Sequence, residues 1–149
     1  PHRDLTMPTI VWSGRTYRGE IPQGHEAWEL WCDLAPVAEA SGAFRLGFLN
    51  PTSDAEQKVV GATVLRCRAK ILAHPSHRDL VKRTLRGWTC DAQDVLVHWS
   101  TLFSDRPGEP ADIAWEIWSR HGFFFPPGVE RGGAPSASQT EPDPAKDAV

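Results

Sequence analysis

Apolar residues return along this chain mostly at helical spacing, and at one place near the start they flank a turn signal as short strands would. Between Asp91 and Phe103, the residues Val95, Leu96, Trp99, Leu102 and Phe103 follow the i, i+1, i+4, i+7, i+8 pattern that gathers side chains on one side of a helix, with Asp91 as its N-cap. From Pro110 to Gly122, the residues Ala111, Ile113, Ala114, Trp115, Ile117 and Trp118 share one broad face and Asp112, Glu116, Ser119 and Arg120 the other. Pro110 suits the first helical turn, where a missing N–H is harmless, and Gly122 suits a left-handed helix end. The turn-rich linker SDRPGEP between the two predicts an antiparallel helical hairpin. Its tryptophans, Trp99, Trp115 and Trp118, would each remove roughly 150–250 Å² from water and dominate its energetics.

The rest of the pattern fills in around that pair. Thr9 to Ile21 places β-branched and aromatic residues on either side of Ser13-Gly14, which predicts a short β-hairpin that must lean on something larger. From Gly24 a helix is expected, with Ala27, Trp28, Trp31, Leu34, Ala35 and Ala38 on its apolar side, a kink or restart at Pro36, and Ser41-Gly42 as its end. Ala43 to Leu49 alternates Phe44, Leu46 and Phe48 and reads as a short strand or extended link. Ser53 followed by Glu56 fits a capping box that opens the next element. Residues 54–73 satisfy two templates: Leu65, Cys67, Ala69 and Ile71 alternate with basic residues as a strand would, while the cap and the Ala-rich composition favour a helix. The helix is the preferred reading, largely buried, because its wheel is apolar almost all round. A further helix is expected from a Ser76 cap to Gly87.

The architecture that follows is mainly α, of the α+β type: one domain over residues 8–125 with an N-terminal hairpin. Residues 1–7 fall outside it, with Met7 as the first candidate start. Residues 126–149 carry prolines, small polar residues and acids without an aromatic, a composition expected to remain a disordered tail. A length of 149 residues allows such a domain a real core. The net charge of −3 argues against a bulk polyanion binder. Three cysteines in no framework spacing predict free thiols in a reducing compartment, and the absence of a signal-like or membrane-spanning run points to the cytoplasm.

Candidate chemistry is sparse. Arg66, Arg68, Lys70, Arg78, Lys82, Arg83 and Arg86 stand against the single acid Asp79 and are the candidate nucleic-acid contact; the competing reading is a solvated face or a dock for an acidic partner. His74 and His77 with Cys67 and Cys90 raise zinc, but Cys67 and His74 would lie roughly 10 Å apart along one helix, so no metal site is assigned. Asp112 and Glu116 form an i, i+4 carboxylate pair on a face that reads as solvated. No Ser/His/Asp, Walker, dinucleotide or His-Glu-x-x-His pattern occurs, so no catalytic residue and no cofactor is expected; an enzyme would have to use a cleft near His98 and His121. Phe123, Phe124 and Phe125 are either a strap that closes the core or an exposed anchor for a protein partner.

A hairpin around TIVWSGRTYRGEI, a helical body and a Pro/Ser/acidic tail together resemble small phage tail-assembly chaperones. The resemblance is one of architecture and carries no residue over. It implies a non-enzymatic assembly module holding a protein such as a tape-measure or tail-tube protein, through the apolar face near Phe123 to Phe125 or through the basic helices.

Overall fold

Ser13 and Gly14 both take positive φ, 50° and 80°, and turn strand β1 (Thr9–Trp12) directly into β2 (Arg15–Arg18), with Trp12 paired to Arg15 across the two-residue turn. A computed structural model of the chain describes residues 7–125. The segments 1–6 and 126–149, where the upstream stretch and the disordered tail were expected, lie outside the described residues. Within them the fold is α+β and mainly α, as the pattern predicts, with five α-helices around the N-terminal hairpin.

Helix α1 (Gly24–Ser41) ends on Gly42, whose φ of 86° lets its N–H reach back to the carbonyls of Ala38 and Glu39. It runs unbroken through Pro36, an exposed position, so the expected restart does not occur. Its buried face is Leu30, Leu34, Val37, Ala38 and Ser41, turned from the expected stripe; Ala27, Trp31 and Ala35 flank the core, and Trp28 is exposed beside the His25 ring. Two apolar sets satisfied helical spacing, and the one with the aliphatic side chains went inside.

The segment Ala43–Phe48, expected as a strand, is a 3₁₀ helix. Gly42 leaves α1 in the left-handed conformation, and Ser41 Oγ then accepts from the Ala43 N–H at 3.3 Å, which coils the chain before any strand partner is near. Helix α2 (Asp54–Ala73) opens on the predicted cap: Ser53 Oγ accepts from the Glu56 N–H at 3.1 Å. The Glu56 carboxylate closes the box one residue early, accepting from Thr52 N–H and hydroxyl at 2.7 and 2.9 Å, and these bonds hold its pKa below the ordinary value. Helix α3 (His77–Leu85) stops before Gly87, whose φ is 82°.

The largest departure lies at residues 89–98. Asp91 and Ala92 both adopt positive φ, 48° and 70°, and join β3 (Thr89–Cys90) to β4 (Gln93–Asp94) as a second, tight hairpin. Asp91 therefore caps no helix; its carboxylate accepts from the Thr16 N–H at 3.0 Å and its own N–H donates to Thr16 O at 2.9 Å. These bonds fasten β3 to β2 and give an antiparallel sheet in the order β1-β2-β3-β4. Of the expected helix only α4 (Trp99–Phe103) remains, with Val95 buried and Leu96 and Val97 exposed. It is too short to be one arm of a helical hairpin.

Helix α5 (Glu109–Arg120) keeps the predicted apolar face, with Ile113, Ala114, Trp115, Ile117 and Trp118 all buried. It packs against α3. The Trp118 indole donates to Thr84 Oγ1 at 2.8 Å, and the Thr84 hydroxyl in turn donates to Leu80 O at 2.7 Å, so a buried polar pair is fully satisfied. Trp88, fully buried between the sheet and the helices, lies with its ring against the Gly19 backbone. Its indole N–H finds no hydrogen-bond partner among the described residues.

Candidate functional site

The residues expected to carry chemistry are scattered, and most are already occupied. Arg68 forms an ion pair with Asp112 and its guanidinium lies 5.4 Å from the Trp115 ring centre, while Arg83 donates to Asp33 at 2.6 Å. Both therefore serve helix packing. Arg66, Lys70, Arg78, Lys82 and Arg86 remain exposed on α2, on α3 and just beyond it. Glu116 is paired with Arg120 at 2.7 Å, so Asp112 and Glu116 point to different cations and make no joint carboxylate site. Cys32, Cys67 and Cys90 are free thiols. No group of three metal-ligating side chains comes together among the described residues.

Phe123 and Phe124 are each 4 % exposed, and the Phe124 ring packs on both Trp115 and Trp118, with centres 4.9 and 6.3 Å away. Phe125 is half-buried, and its carbonyl accepts from the Trp31 indole at 3.2 Å. The run is thus a strap across the core. Phe123 and Phe124 have little surface left to offer a partner, because both are already covered by the core.

Trp115 and Trp118 likewise ring no ligand cavity: the crevice beside them holds about 10 Å³, room for a single water at most. A broad, open cleft of about 1130 Å³ does lie between the end of β2, the start of α1 and the end of α3. Its lining includes Arg18, Arg83 and Arg86 as well as Glu20, Glu26, Glu29 and His121; His98 sits apart, at the start of α4. The titratable groups that burial displaces are in the core instead. Burial, followed by its bond to Glu109, pushes the Tyr17 phenol far above its ordinary value, and burial raises the Cys67 and Cys90 thiols.

Those shifts set a pH dependence. A group whose folded pKa exceeds its unfolded value keeps its proton longer in the native state, so its contribution is complete below the unfolded pKa and declines above it. Stability should therefore fall from about pH 8.5, where unfolded thiols ionise, and more steeply above about pH 10, where an unfolded tyrosine does. Denaturant midpoints taken across this range should show the steeper limb flattened in Tyr17→Phe.

The outward face of α2 was not foreseen. The helix was expected to be largely buried, yet only Cys67 and Ile71 are; Leu65 is 69 % exposed, Val59 65 % and Leu72 47 %. Gly61, Leu65 and Leu72 stand at i, i+4 and i+11, with Ala62, Ala69 and Ala73 beside them, all exposed, so one continuous apolar stripe faces solvent. Arg66 and Lys70 border it on one side and Arg68 on the other. The wheel that is apolar all round was the available signal. In so short a chain, a helix bearing Arg66, Arg68 and Lys70 cannot be enclosed on every side, so part of its apolar surface must look outward. No protein-family model, curated protein or solved structure matches this chain.

Proposed function

We propose that this chain is a non-enzymatic protein-binding module, with the exposed stripe of α2 as its docking surface. The observation that carries the reading is a pair of large apolar side chains, Leu65 and Leu72, kept in water beside Gly61, Ala62, Ala69 and Ala73 on a helix whose opposite face already closes the core. Surface of this kind is what an amphipathic segment of another protein covers in helix-on-helix recognition. The basic helices, rather than the Phe123–Phe125 run, are then the holding element, and an assembly role like that of the phage tail-assembly chaperones is one use of it. Free thiols suit a reducing, cytoplasmic setting. No helix among the described residues is long and apolar enough to cross a membrane.

Affinity capture with the native chain and with the double variant Leu65→Glu/Leu72→Glu tests this. Both substitutions fall at exposed positions of a helix in which glutamate is well tolerated, so the circular dichroism spectrum and thermal midpoint should stay close to those of the native chain. The native chain should retain a protein that the variant releases, with a loss of about tenfold or more in affinity. Capture of nucleic acid that resists the substitutions would favour the basic residues Arg66, Lys70, Arg78, Lys82 and Arg86 as a phosphate contact and overturn the docking assignment.

A further inference from the structure

Resting on that docking assignment, we infer the chemistry of the occupant: an amphipathic helix of another protein whose apolar stripe is bordered by aspartate and glutamate and carries small residues near its middle. Charge makes the first half of the case. From Gln57 to Arg78 the chain has no acidic residue, while Lys58, Arg66, Arg68 and Lys70 all fall on α2. Among the described residues the acid from another element that pairs with α2 is Asp112, and it is taken by Arg68, which leaves Arg66 and Lys70 exposed along the border of the stripe. A docking helix with carboxylates at its margins would meet them as charge-complementary rim pairs. Two copies of this chain joined through the same face could offer these cations only the two acids in the first turn of the other copy's α2, Asp54 and Glu56, of which Glu56 is already held by Thr52.

Gly61 makes the second half. A glycine inside a helix costs about 1 kcal/mol relative to alanine, and most such glycines are kept where a neighbour leaves no room for a methyl group. Here a Cβ would meet nothing within 4 Å, so no contact inside the domain requires the glycine. It stands on the outward stripe, one turn before Leu65, at an ordinary helical φ. Close backbone approach from outside accounts for it: a second helix crossing at Gly61 and Ala62 can come nearer than larger side chains would permit, while Leu65 and Leu72 insert on either side of its ridge.

The test is selection of a displayed library of helices, about 20 residues long to match α2, with a fixed leucine stripe and randomised flanking and central positions, on the full chain. The expected result is enrichment of Asp and Glu at the flanks and of Gly, Ala or Ser at the centre. Winners should weaken by about tenfold or more on Leu65→Glu and on raising salt. Winners lost with Leu65→Glu but lacking an acidic bias would overturn this inference while leaving the docking face standing. Winners indifferent to Leu65→Glu, or no winners at all, would remove the docking face itself. Self-association of the full chain that disappears in Leu65→Glu would make a second copy the occupant and overturn the acidic-helix assignment.

Discussion

Gly19→Ala should destabilise the fold strongly, although it adds only a methyl group. A Cβ at Gly19 would lie 2.3 Å from Cγ and Cδ2 of the Trp88 ring, well inside any real carbon–carbon contact. Trp88 cannot step aside, because it is fully buried at the meeting of sheet and helices. Overpacking of this kind costs about 1–3 kcal/mol and sometimes more, and an immovable indole places the expected loss near the upper end. A thermal or denaturant midpoint should show it, with the m-value unchanged. Trp88→Phe in the Gly19→Ala background should restore part of the loss, since a smaller ring leaves room for the methyl group and the substitution also removes the unpartnered indole N–H.

The second large effect is expected at Glu109, 5 % exposed at the first turn of α5. Its carboxylate accepts the Tyr17 hydroxyl and lies 3.4 Å from both Arg15 and Arg106, and Arg106 also donates to Ser13 O at 3.0 Å. One acid thus ties the first hairpin to the last helix. Glu109→Ala would leave a fully buried phenol and two guanidinium groups without their common acceptor. Breaking a buried pair costs about 3–5 kcal/mol; because Arg15 and Arg106 can still turn partly to water, about 2–4 kcal/mol is expected here. Glu109→Ala combined with Tyr17→Phe should cost clearly less than the sum of the two single changes, since the second removal no longer strands the hydroxyl. Strict additivity would show that the two side chains do not act together.

Much of the architecture could be read from local chemistry. The Ser13-Gly14 turn, the Gly42 and Gly122 helix ends, the Ser53 cap and the apolar face of α5 are all decided by residues within a few positions of one another. Elements held by distant partners were not legible. β3 and β4 have two residues each, too few to display alternation, and exist because Asp91 reaches Thr16 across the sheet. The pattern at Val95, Leu96, Trp99, Leu102 and Phe103 mimicked a helix because Val95 on the hairpin and Leu102 and Phe103 on α4 enter one core. Glu109 and Trp88 gave no sign of their roles, since each depends on a residue more than 60 positions away. The outward face of α2 was half visible: a helix apolar all round was evident, and which side met the core depended on where α1 and the 3₁₀ segment lay against it.

If the outward face of α2 is kept for a partner against the interest of the fold, Gly61 is the position where the two demands conflict. Unfolding free energy and affinity for a selected acidic helix should be measured side by side for the native chain and Gly61→Ala. The two should move in opposite directions, with stability rising by about 1 kcal/mol as the helix gains alanine and affinity falling as the added methyl holds the partner backbone away. Affinity that is unchanged, or that rises together with stability, would contradict the account.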